Sequence, residues 1–125
     1  MSTKADKFHV VNSALGAAAL LEQLAEESTE LAHAALKQAR IERDENPTPV
    51  SASEAFSNLF EEVADVRLCI RALESMIGPM DTKEIEDEKL TRWVERIEAT
   101  QAKKKQAVQR KKERHDTLIF FCPVS

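Results

Sequence analysis

The sequence predicts an all-α fold, an antiparallel bundle of long helices, on three observations. Ala, Leu, Glu, Lys, Arg and Gln are abundant, while Gly occurs twice, Trp once and Tyr never, a balance that favours helix. Apolar side chains recur at three- and four-residue steps over three long stretches, the spacing that lines one helical face. The stretches are parted by Asn46-Pro47-Thr48-Pro49 and by Gly78-Pro79. Proline lacks an amide donor and disfavours helical geometry in the residue before it.

The first helix is expected from about Val10 to Arg43, with Leu20, Leu24, Leu31 and Ala34 as its stripe and a bend or break near Gly16. Residues 44–52 are read as a loop. Ser51 or Ser53 then caps a second helix, since Glu54 follows Ser51 at capping-box spacing. Phe56, Leu59, Phe60, Val63, Val66, Ile70 and Leu73 carry its period to about Met76, and Gly78 ends it as a C-terminal glycine does. Asp81 or Thr82 opens a third helix, whose stripe of Ile85, Leu90, Trp93, Val94 and Ile97 is expected to pack in the bundle, Trp93 included. Its polar continuation runs to about Arg114, and Leu118-Ile119-Phe120-Phe121 is expected as a short strand or docking segment.

The 125 residues are one domain's worth of chain, enough to bury a core. The net charge of -4 is unevenly placed, because residues 101–125 hold seven Lys and Arg against Glu113 and Asp116, which leaves the first hundred residues strongly acidic. The expected division is therefore a catalytic helical body over 1–100 and a basic helical extension with a short apolar tail over 101–125. An acidic body suits cations better than nucleic acid, whose binding depends on Lys and Arg neutralising phosphates. Lys103-Lys104-Lys105 and Arg110-Lys111-Lys112 lack accompanying aromatic residues to stack on bases, so they read as a solvated face.

Cys69 and Cys122 form no CxxC, which points away from a disulfide framework or thiolate zinc site and fits the cytoplasm. Cys69 lies on an apolar seam and reads as a core residue. No membrane partner is expected, since the apolar run Ala14 to Leu21 falls well short of the roughly 20 residues a spanning helix needs. Lys4 and Lys7 ahead of that run imitate a signal peptide, but the apolar pattern continues through Leu24 and Leu31.

Two seams carry an anomaly. Positions 20, 24, 27, 31 and 34 hold Leu, Leu, Glu, Leu and Ala, and positions 59, 62, 66, 69 and 73 hold Leu, Glu, Val, Cys and Leu. Glu27 and Glu62 thus stand where apolar knobs belong. Each has an acidic neighbour three positions on, Glu30 and Asp65, which shares its helical face. Four converging anions lose hydration and repel one another unless a cation pairs them. An all-oxygen donor set selects a hard cation, Mg2+ or Mn2+, and Mg2+ commonly completes its shell with substrate phosphates. Glu26 and Glu61, each beside a proposed ligand, are the candidates to accept a proton.

Glu26-Glu27-x-x-Glu30 followed by Glu62-x-x-Asp65 resembles the EExxE...ExxD signature of MazG-like all-α nucleoside triphosphate pyrophosphohydrolases, over roughly residues 18–98. The gap of 31 residues between Glu30 and Glu62 is somewhat long for that pattern. The resemblance implies that Glu27, Glu30, Glu62 and Asp65 hold Mg2+ and that a nucleoside triphosphate is cleaved to monophosphate and pyrophosphate. It also implies that Lys89 and Arg92 bind phosphate and that a homodimer or homotetramer completes the bundle.

Two other readings stand beside this one. Glu30-x-x-His33 matches half of a di-iron carboxylate site, which needs a second Glu-x-x-His where this chain has Asp65. A non-catalytic helical interaction module would need no metal at all. The absence of a glycine-rich phosphate loop excludes a P-loop NTPase.

Overall fold

A computed structural model describes residues 1–45 and 50–121, all of whose regular structure is helical. The expected loop residues Asn46 to Pro49, and Cys122 to Ser125, lie outside the described residues. The chain divides into two compact units, Met1–Met80 and Asp81–Ser125.

In the first unit, α1 spans Lys4–Glu42 and begins six residues before the expected start. Thr3 sets that start through a capping box: its hydroxyl accepts from Asp6 N at 3.1 Å, and its own N–H donates to the Asp6 carboxylate at 2.7 Å. Hydrogen bonding from the Thr3 backbone N–H, and then from the Thr3 side chain, holds the Asp6 carboxyl below its ordinary value. At Gly16 the backbone leaves helical geometry, with φ 72° and ψ 173°, so α1 is two helical segments joined by a kink. The kink lets Phe8, on the first segment, pack against Leu20, Ala72 and Leu73.

The helix stops at Glu42, ahead of the prolines, where Arg43 N donates to Ala39 O, Glu45 N to Arg40 O, and Asp44 adopts φ 55°. Asp is among the few non-glycine residues that enter the left-handed region readily. Ser51 caps α2, which spans Ala52–Ile77, by accepting from Glu54 N at 3.1 Å. Gly78 closes α2 with φ 98°, donating to Glu74 O.

The two helices meet along a short core. Leu20 (2% exposed), Ala72 and Leu73 (4% exposed) form its centre, flanked by Phe8, Leu24 and Met76, while Ala55 and Cys69 are buried elsewhere on α2. Asn12 of α1 donates to the Ser75 hydroxyl, which donates to Ala72 O at 2.7 Å. Pairing therefore runs from Asn12 with Ser75, through Leu20 with Leu73, towards Glu27 and Glu62.

The second unit holds a single helix, α3, over Lys83–Phe121. Lys83 N donates to the Asp81 carboxylate, and Glu86 N donates to Thr82 O, which closes the first turn. Helix continues through Thr117 to Phe121, where a strand or docking segment was one expectation. Every side chain described in this unit is exposed, including Trp93 at 63%. Within its own unit α3 is a lone helix, so nothing in that unit covers the stripe to which Trp93 belongs. Among the described residues, no helix is long and apolar enough to cross a membrane.

Candidate metal centre

The site lies in the first unit, beyond the Leu20–Leu73 core. Glu27 follows Leu20 and Leu24 on the buried edge of α1, and Glu62 precedes Val66, Cys69 and Leu73 on that of α2. Each backbone is fixed by the leucines that precede or follow it, so both side chains are delivered half-buried into the seam. Carboxylate oxygens of Glu27, Glu62 and Asp65 all lie within 4.8 Å of one another. Asp65, one turn along from Glu62, is exposed and closes the group from the solvent side.

Three of the four proposed ligands are therefore brought together. Glu30 is exposed and outside that close group, yet its charge bears on Glu62. The Glu62 carboxyl is pushed above its ordinary value, first by burial and then by the negative charges of Glu30, Asp65, Glu27 and Glu61. Both causes penalise the ionised form. Among the described residues the one ion pair is Lys83–Asp87, on α3, so no Lys or Arg described here neutralises these acids directly.

Gln23 is a participant that the seam reading missed. Its Nε2 donates to Glu27 Oε1 at 2.7 Å, leaving the other Glu27 oxygen without that bond. The signal was present in the sequence, since Gln and Glu four residues apart meet on a helix surface. Gln23 also lines a recess of about 460 Å³ whose walls are mainly Phe8, Val11, Leu15, Leu20 and Leu68, with Lys4 and Lys7 beside them.

Cys69 lies on the same seam and is buried. Burial, then the charges of Glu27 and Asp65, pushes its thiol above the ordinary value, which suppresses the thiolate and fits a core residue. Glu26, Glu61 and His33 are exposed and lie outside the close acidic group. Lys89 and Arg92 are exposed on α3, in the other unit.

The donor set fits a hard divalent cation: three carboxylates from two helices, no thiolate or imidazole in the close group, and a single amide donor to share the charge. Comparison of the chain with protein-family models, with curated proteins and with solved structures found no match.

Proposed function

We propose that the protein is a Mg2+-dependent nucleoside triphosphate pyrophosphohydrolase, with Mn2+ as an alternative ion, that cleaves its substrate to nucleoside monophosphate and pyrophosphate. The observation that carries this reading is the convergence of Glu27, Glu62 and Asp65 within 4.8 Å, with Glu62 pushed above its ordinary value by burial and by the neighbouring acids. Two of the three, Glu27 and Glu62, are half-buried at the edge of the core, where like charges cost most without a counter-charge. The resemblance of Glu26-Glu27-x-x-Glu30 and Glu62-x-x-Asp65 to the MazG-like signature supplies the reaction class.

In this reading Glu27, Glu62 and Asp65, with Glu30 completing the set, hold the cation. When bound, it would supply Lewis-acid chemistry, lowering the pKa of water and neutralising charge on the phosphate chain. Gln23 orients Glu27 by occupying one of its oxygens. Glu26 or Glu61 accepts the proton as water oxygen bonds to phosphorus, the bond between the α and β phosphates breaks, and pyrophosphate leaves. Lys89 and Arg92 bind phosphate oxygens. The recess beside Gln23, apolar in its walls and lined also by Lys4 and Lys7, has the size suited to a nucleoside.

A homodimer or homotetramer would complete the antiparallel bundle and cover Phe56, Phe60 and Leu68, which are all exposed on α2. These exposed residues also favour the second reading, a non-catalytic interaction module, over the di-iron one, because the close donor group contains no histidine. The cytoplasm is the expected compartment.

The test is release of pyrophosphate and orthophosphate from a panel of ribo- and deoxyribonucleoside triphosphates with Mg2+, Mn2+ or chelator, beside Glu62→Gln. Metal-dependent pyrophosphate that disappears in the variant is expected. No release from any nucleotide would overturn the enzyme in favour of the interaction module, and orthophosphate alone would overturn the choice of bond.

A further inference from the structure

The segment of α1 ahead of the kink carries two cations to the recess that Gln23 lines. Lys4 and Phe8, Lys7 and Val11, and Val11 and Leu15 are each four residues apart, which sets these side chains on one helical face. All five line the recess, so the face that is apolar near Gly16 ends in lysines. Gln23 and Cys69 line it from the rest of the unit, and both connect it to the acids. Gln23 donates to Glu27, and the charges of Glu27 and Asp65 bear on the Cys69 thiol.

Neither helix stability nor ion pairing accounts for lysines at these positions. They are the first and fourth residues of α1, where the unpaired amide N–H groups of a helix present partial positive charge and favour acids such as Asp6. Among the described residues the one ion pair is Lys83–Asp87, so neither lysine meets a carboxylate. Met1–Met80 carries thirteen carboxylate side chains against seven Lys and Arg, and a unit so charged repels an anion unless cations stand locally. Both lysines are exposed. Lysine can wall an apolar hollow with its methylene stem while its ammonium stays in water at the mouth. Such a recess suits a ligand with a flat or apolar body and an anionic chain.

We propose that Lys4 and Lys7 bind the triphosphate chain of a nucleoside triphosphate at the mouth of this recess, an inference that rests on the hydrolase reading for the nature of its ligand. Each ammonium acts as a point charge on phosphate oxygens. Unlike Lys89 and Arg92, both lysines belong to the unit that holds Glu27, Glu62 and Asp65. One unit then supplies carboxylates for the cation and ammonium groups for the phosphates.

Calorimetric binding of inorganic triphosphate to the full chain in Mg2+ tests this without knowledge of the base, beside turnover of nucleoside triphosphates. Lys4→Gln combined with Lys7→Gln should weaken triphosphate binding roughly tenfold. It should raise KM by a similar factor and leave kcat within about twofold, as loss of binding shared by ground and transition states does. Lys4→Arg with Lys7→Arg keeps both charges and should retain the affinity. Glutamine forms helix as well as lysine and relieves the first turn of its misplaced charge, so the arm should stay folded. Unchanged thiol labelling of buried Cys69, in a Cys122→Ser background, checks that. Triphosphate binding that is equal in the glutamine variant, or absent in the unaltered chain, would overturn the proposal. Lysine-dependent binding without turnover of any nucleotide would uphold it and overturn the hydrolase instead.

Discussion

Replacing Gly16 by alanine should destabilise the first unit even though the new methyl group has room. At φ 72° and ψ 173° the residue occupies a region that glycine enters freely and side chains do not. A Cβ built there meets nothing within 4 Å, so neither a clash nor a packing gain enters the balance. Holding a non-glycine residue in such a region costs about 1–3 kcal/mol. Alanine also restricts the unfolded chain, which offsets roughly 0.4–1 kcal/mol. The net loss is then about 1–2 kcal/mol, and relieving it by straightening α1 would withdraw Phe8 from the Leu20–Leu73 core.

Cys69 provides the assay, because it is buried in this unit and reports its opening. In a Cys122→Ser background, thiol labelling under conditions where reclosing outruns reaction follows the free energy of opening. The alanine variant should label roughly 5- to 30-fold faster, the rate equivalent of the net loss. The sign of the change is decisive. Were α1 a continuous helix through residue 16, alanine would stabilise it by about 0.8–1 kcal/mol and slow labelling, a result that would refute the kink.

Three further expectations follow from the same unit. The native Glu62 carboxyl titrates above its ordinary 4.5, so between that value and its raised native one the folded state holds more protons than the unfolded state. Stability in the absence of metal therefore falls as pH rises through this window. Glu62→Gln, which cannot ionise, should flatten that slope and leave the metal-free protein more stable at pH 7; urea titrations at several pH values check it, and an unchanged slope would assign the dependence elsewhere. Gln23→Ala frees Glu27 to rotate and should weaken Mg2+ binding by roughly tenfold, measured as a loss of Mg2+-dependent protection of Cys69; equal protection would remove Gln23 from the site. Leu73→Ala should cost about 2–5 kcal/mol of unfolding free energy by urea titration, and a loss below about 1 kcal/mol would mean that the Leu20–Leu73 contact is not the centre of the core.

The carboxylate cluster was legible because it violates a pattern. Glu27 and Glu62 interrupt otherwise apolar seams, and a charge on a seam must meet whatever the seam meets, so the sequence alone brought them together. Asp65 followed from its spacing of three. Glu30, at the same spacing, projects into solvent and acts on Glu62 through its charge, a distinction that helical periodicity is too coarse to draw. Lys89 and Arg92 rested on resemblance alone, since no periodic rule connects one unit of the chain to another.

The N-terminal arm was illegible for a more specific reason. Projected along one straight helix, Phe8, Val11 and Leu15 fall on the side opposite Leu20, so the stripe seemed to begin only at Leu20 and the arm had no visible partner. The kink at Gly16 resets the phase and turns Phe8 onto the Leu20–Leu73 cluster. Thr3 and Asp6 then cap a segment whose apolar face was present in the sequence but out of register with the rest. On α3 the stripe was fully legible as well, but its own unit holds no second helix to meet it. Periodicity identifies which face a helix can bury, while burial requires a surface to meet it.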